Sequence, residues 1–151
     1  MKSNKELSSK LPEYLEVVRN ILWNCQVIEA GLRRYISSSY DFIRIKLGDE
    51  LPFHLNMSDL EKDSMGKLIR KFSKLSNDSE FIKELENLVP HRNKCAHEGF
   101  AIKYKFLFDE SYFETKLEDL KAIYDKSEDT ASKIRNIYKN LEERIKTNEK
   151  R

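Results

Sequence analysis

Arginine, asparagine and histidine crowd together in one stretch of this chain, Val89-Pro90-His91-Arg92-Asn93-Lys94-Cys95-Ala96-His97-Glu98-Gly99-Phe100. Side chains of these types can break a phosphodiester. An imidazole takes or gives a proton near neutral pH. A guanidinium grips phosphate in a two-pronged way, and a carboxamide can hold a tautomer or donate a hydrogen bond. RNA supplies its own nucleophile, the 2′-OH. A base near that hydroxyl, with positive charge on the phosphate, suffices for strand cleavage without metal and leaves a 2′,3′-cyclic phosphate. In that chemistry His97 is the candidate base or acid, Arg92 steadies the phosphate and Asn93 positions His97.

The stretch carries its own punctuation. Pro90 suits the first position of a helix, where its missing N–H goes unnoticed, and Gly99 suits the left-handed residue just past a helix end. Together they predict a helix from Pro90 to Glu98. Its start would offer free N–H groups and a positive dipole end to an anion. Asn93 and His97, four apart, share a face. Arg92 and His97, five apart, are rotated by about 140° on an ideal helix, within reach of a long Arg side chain. Far upstream, Glu29 falls inside an apolar helical stripe between Cys25 and Leu32. A buried carboxylate needs a partner. It is either one half of an ordinary ion pair with a Lys or Arg, or a support that orients Arg92 or His97.

The elements around these residues read as helices. From Leu11, the positions Leu15, Val18, Leu22, Cys25, Leu32, Ile36 and Ile43 step by threes and fours, with Ile21, Ile28 and Tyr35 widening the stripe. Ser37-Ser38-Ser39 can bend this helix and Gly48 ends it. Residues 48–57, with Pro52, His54 and Asn56, read as a loop in which His54 is a weak candidate to overhang a site. Ser58-Asp59-Leu60-Glu61 is a capping box opening a helix with Met65, Leu68, Ile69, Phe72 and Leu75 inside. Its outer side carries Lys67, Arg70, Lys71 and Lys74, a solvated face or a track for a phosphate backbone. Ser76-Asn77-Asp78-Ser79 caps the next helix, buried through Phe81, Ile82, Leu85, Leu88 and Val89, which Pro90 should break or kink. Residues 100–108 alternate aromatic and lysine-rich positions with period two, a short strand or extended arm that covers the helices or stacks single-stranded bases. Ser111-Tyr112-Phe113-Glu114 is a second capping box. Beyond it Leu117, Leu120, Tyr124, Ala131, Ile134, Tyr138, Leu141 and Ile145 form a bundle seam, with polar Asp125 to Thr130 as a place to split it.

The expected fold is therefore all-α, an antiparallel bundle of about five helices in one domain spanning 1–151, frayed at 1–9 and 146–151. Lys plus Arg number 28 against 26 Asp plus Glu, so nothing in the overall charge calls for duplex DNA. Four Gly and three Pro are too few for an all-β chain. Cys25 and Cys95 form no CxxC pair and no zinc spacing, and His91 with Cys95 offers only two ligands, so no metal or other cofactor is expected. No apolar leader follows Met1-Lys2-Ser3 and no run could span a bilayer, which points to a cytoplasmic protein away from membranes.

Arg-Asn, three spacers and His, late in a small helical chain, resemble the signature of HEPN domains. Two further stretches are similar: Gln26 to Ile36, like the early HEPN helix that carries a Glu, and Ser64-Met65-Gly66-Lys67-Leu68-Ile69-Arg70-Lys71-Phe72, like a helix that precedes the motif in some members. The likeness covers roughly residues 10–145. It implies a metal-independent endoribonuclease in stress response or defence. It also implies a homodimer, because the motifs of two HEPN domains meet at a two-fold axis to build one composite site. Arg92, His97, Asn93 and Glu29 would line that site, RNA would be its substrate, and a regulatory protein partner is in keeping with the family. The alternative the resemblance allows is a non-catalytic HEPN-like module that binds RNA, a nucleotide or a protein. Some members carry a Tyr two residues past the motif His. Here that position is Gly99, which speaks against a toxin pairing of that kind.

Overall fold

In a computed structural model describing residues 6–51 and 57–149, the chain is all-helical. Five α-helices are present among the described residues: α1 Leu11–Leu47, α2 Met57–Glu61, α3 Met65–Phe72, α4 Ser79–Glu98 and α5 Glu110–Glu149. His54, with Pro52 and Asn56, lies outside the described residues.

α1, α4 and α5 pack up, down and up. Tyr14 meets Gly99 and Glu29 meets Arg92, so α4 runs against α1. Asn24 meets Ser127 and Arg34 meets Glu142, so α1 and α5 advance together. One half of the core gathers Ile28, Leu32 and Ile36 of α1 with α3, Leu85 and Leu88 of α4, and Ile134 of α5. The other gathers Tyr14, Val18, Ile21 and Cys25 with Cys95 and Phe113. The stripes read on α1 and α5 are the faces that become buried or half-buried.

Several boundaries differ from expectation, each for a local reason. α4 does not start at Pro90. It starts at Ser79, where the Asp78 carboxylate accepts the Phe81 N–H at 3.0 Å, and runs through Pro90. A proline inside a helix leaves the carbonyl four residues back, here Glu86, without its donor. Both residues are on the exposed side, where water can serve that carbonyl, while Phe81, Leu85, Leu88 and Cys95 hold the helix against the core on either side of Pro90. The free N–H groups expected at Pro90 are therefore absent, and with them the anion site at a helix start.

Gly99 is not left-handed; its φ and ψ are −57° and −37°. A Cβ there would lie 2.4 Å from the Cys95 carbonyl oxygen and 2.6 Å from Val18 Cγ1, so glycine is required by close approach. The Tyr14 hydroxyl donates to the Gly99 carbonyl at 2.8 Å across the same contact. Gly99→Ala should lower the melting temperature of the protein by several degrees, equivalent to about 1–3 kcal/mol of overpacking. A thermal melt followed by circular dichroism reads this directly. Gly48, by contrast, does end α1 with φ +58°.

The helix expected from Ser58 is two, α2 and α3, parted by residues 62–64. Arg33 of α1 holds this break by donating to the carbonyls of Leu60 and Asp63 at 3.0 and 3.3 Å. Lys71 is bound to the Asp63 carboxylate, leaving Lys67, Arg70 and Lys74 on the exposed basic face. The alternating arm is no strand. Lys103 is extended, but Tyr104–Phe106 coil into a 3-10 turn whose rings cluster, with Phe106 stacked on Tyr112 at 4.3 Å.

α5 is capped by the Asp109 carboxylate, which accepts the Tyr112 N–H at 3.1 Å, rather than by Ser111. α5 is also unbroken across Asp125 to Thr130. Ser127 and Thr130 are buried there and return their hydroxyls to the carbonyls of Tyr124 and Lys126. Small, self-satisfied polar residues allow a close α1–α5 seam instead of a loop. Ser8 is buried and its N–H donates to Leu107 O, Ser9 bonds Glu110, and α5 continues to Glu149.

Candidate functional site

Residues of the central stretch divide over three sides of α4. On the inner side, Arg92 reaches α1, with Nη2 3.3 Å from Glu29 Oε1. Glu29 is 8% exposed. It sits where the two halves of the core meet, between Cys25 and Leu32, as its place in the stripe required. Its other oxygen lies 3.5 Å from Arg33 Nη2, one helical turn on. Oε1 has a charge beside it but no aligned hydrogen bond. One carboxylate thus serves two guanidiniums, and only the Arg33 contact is a hydrogen bond.

On the outer side stand Asn93 and His97, both exposed and one turn apart. Arg92 Nη1 donates to Asn93 Oδ1 at 3.5 Å, a long contact. The chain therefore joins Glu29, Arg92 and Asn93 in one row from core to surface. It does not join His97 to that row: among the described residues the imidazole makes no hydrogen bond or ion pair. Arg33 was missed as a member of this row. Its signal was in the sequence, since Glu29 and Arg33 are spaced i, i+4 in the favourable order.

The third side faces α5. His91, Lys94, Cys95 and Glu98 line a cavity of about 520 Å3 closed by the 99–103 link and α5. Cys95 and Cys25 are buried in the neighbouring core. Burial, then the nearby Cys95, pushes the Cys25 thiol up to about 12, with Glu29 adding a little and Arg92 opposing. Burial also raises Cys95, against the pull of Lys94. His91 is exposed while Cys95 is buried, and no group of three or more His, Cys, Asp or Glu among the described residues could hold a metal ion.

The thiols give a simple expectation. Iodoacetamide at pH 8 should leave both unlabelled in the folded protein and label both in urea, because the thiolate is the nucleophile. The sign for stability follows. The unfolded Cys25 thiol ionises first, near its ordinary 9.0, while the folded one keeps its proton toward 12. The contribution is complete below pH 9 and is lost as pH rises from there toward 12, at up to about 1.4 kcal/mol per unit. Urea melts at pH 8, 10 and 11 would show it, and Cys25→Ser should flatten the slope.

Fold and site together define a class no narrower than an all-α bundle with a buried Glu–Arg pair beneath an exposed Asn and His. Compared with family models, with curated proteins and with solved structures, the chain finds no match. No helix among the described residues is long and apolar enough to cross a membrane.

Proposed function

We propose that the chain is a HEPN-type, metal-independent endoribonuclease that works as a homodimer. The observation that carries this reading is the pairing of a fixed guanidinium with a free imidazole on one helix. Arg92 is anchored by Glu29 from α1, and His97 stands one turn beyond Asn93 with its ring open to solvent. A single chain presents one such set. Two copies meeting across the Asn93–His97 face would bring two imidazoles and two guanidiniums around one sugar–phosphate linkage, where His97 takes the 2′-OH proton as the 2′-oxygen attacks phosphorus, the bond from phosphorus to the 5′-oxygen breaks and that oxygen takes up a proton, while Arg92 holds the phosphate. Glu29 then acts on Arg92 as a positioning residue. Its shared charge keeps the guanidinium from swinging freely while leaving Nη1 toward the surface.

A second reading rests on the same contact. If the Glu29 pair consumes the charge of Arg92, the chain is a non-catalytic module of the same fold that binds RNA, a nucleotide or a protein. Incubating the pure protein with mixed RNAs in EDTA separates the two. Cyclic-phosphate ends produced by a dimer support the nuclease. Intact RNA together with a strict monomer rejects it.

A further inference from the structure

The two guanidiniums that share Glu29 are held in opposite ways. Arg33 is fixed on three sides. Its Nε donates to the Leu60 carbonyl at 3.0 Å, and its Nη2 lies 3.3 Å from the Asp63 carbonyl and 3.5 Å from Glu29 Oε2. Both carbonyls belong to the break between α2 and α3, and Lys71 ties that break down through the Asp63 carboxylate at 2.5 Å. Arg92 has no such frame. Its Nη2 stands 3.3 Å from Glu29 Oε1 without an aligned hydrogen bond, and its Nη1 makes one long contact to Asn93 at 3.5 Å.

An arginine and a carboxylate left to themselves close on each other through two parallel N–H···O bonds. Glu29 and Arg92 do not form that closed pair. The last torsion of a glutamate is broad, so the carboxylate can turn either way. What stops it from turning to Arg92 is the anchored Arg33 on Oε2. We propose that Arg33 is a positioning residue for the site: by occupying one oxygen of Glu29 it keeps the carboxylate from closing on Arg92, which stays tethered but free to meet a phosphate. Charge works in the same direction. Two guanidiniums against one carboxylate leave a net charge of +1, and Arg33 repels Arg92 outward across Glu29. Without Arg33, Glu29 and Arg92 become a neutral closed pair, and α4 presents no free guanidinium at Asn93. The hold of Arg33 on Glu29 stands by itself; its consequence for cleavage rests on the nuclease reading.

Phenylglyoxal labelling of the full chain, followed at Arg92 by peptide mass spectrometry with exposed Arg19 as internal reference, tests it. Arg33→Met should slow labelling of Arg92 about three-fold or more, because a closed pair shields both edges of the guanidinium. Adding Glu29→Gln to Arg33→Met should return labelling to the parent rate or above, since the carboxylate that captures Arg92 is gone. Arg33→Lys should label within about two-fold of the parent, as an ammonium still holds Glu29. It nevertheless loses the fork that serves two carbonyls, so its melting temperature should fall nearly as far as that of Arg33→Met. A merely structural arginine would instead loosen Arg92 in both variants and speed labelling in step with lost stability. Cleavage of RNA should follow the labelling: kcat/KM falls about ten-fold or more in Arg33→Met and recovers to within about three-fold of the parent in Arg33→Lys. Arg33→Gln, which still offers the break a donor, carries the same test should Arg33→Met not fold. If Arg92 in the folded variant is labelled at the parent rate or faster, the proposal is wrong even where the parent cleaves RNA. Slowed labelling in a protein that leaves RNA intact upholds the role of Arg33 and removes only the nuclease.

Discussion

His97→Ala should reduce RNA cleavage by about 10²–10⁴-fold, the range a positioned proton-transfer group contributes. Its melting temperature should remain unchanged, because the imidazole is exposed and makes no hydrogen bond or ion pair among the described residues. Arg92→Ala should lose as much activity but for a mixed reason. It removes the proposed phosphate clamp, and it leaves the nearly buried Glu29 with only the long 3.5 Å contact to Arg33. Removing one partner of a fully buried pair costs about 3–5 kcal/mol. Here the Arg92 side chain is 34% exposed, so a smaller loss of about 1–3 kcal/mol is expected. Arg92→Lys separates the two effects, since an ammonium can still neutralise Glu29 but cannot offer a planar fork to phosphate. It should recover most of the stability and little of the activity.

The composite site proposed above would have its own signature. Neither His97→Ala nor Arg92→Ala should cleave alone. Mixed and allowed to exchange subunits, they form heterodimers in which the arginine of one protomer faces the histidine of the other, and activity well above that of either variant should return. Mixing two variants of a site contained within one chain returns nothing. A silent mixture, from proteins shown to exchange, would therefore remove the two-fold arrangement, and a fully active His97→Ala would remove the nuclease itself.

How much of this was legible beforehand depended on whether the signal was periodic or local. The long apolar stripes of α1 and α5 named their buried faces directly, because thirty or more residues vote on one phase. Glu29 was also legible. A carboxylate on such a stripe demands a cation, and α4 supplies Arg92. Punctuation residues misled where packing outweighed them. Pro90 reads as a start, but its helix is held on both sides by buried Leu88 and Cys95 and tolerates one unserved carbonyl on the wet face. Gly99 reads as a left-handed cap, whereas its real constraint is close approach, to the Cys95 carbonyl and to the side chain of Val18 far upstream on α1. The polar run from Asp125 to Thr130 reads as a loop, whereas Ser127 and Thr130 are small residues at a seam. The charged cavity beside α5 had no local pattern at all, since its lysines come from positions 94, 103 and 116 on separate elements.

That seam makes the largest structural prediction. Gly31 faces Ile134, and a Cβ on residue 31 would lie 2.8 Å from Ile134 Cγ1 and 3.0 Å from Cγ2. Ile134 is fully buried and cannot turn away into solvent. On helix propensity alone, Gly31→Ala should stabilise the protein by about 1 kcal/mol. The clash opposes that gain, because α1 and α5 must separate along a seam that also holds the Asn24–Ser127 hydrogen bond at 3.0 Å. Overpacking costs about 1–3 kcal/mol for a methyl and more for a branched side chain. Gly31→Val should therefore lose about 3 kcal/mol or more, enough to threaten folding of a chain this size. Ile134→Ala alone should lose about 2–5 kcal/mol through the cavity it opens. Combined, Gly31→Val and Ile134→Ala should be markedly more stable than the sum of their separate losses, since each supplies the volume that the other lacks or exceeds. Urea denaturation of the four proteins measures this coupling. Strict additivity would mean that the two residues do not touch, and the α1–α5 seam would then need a different register.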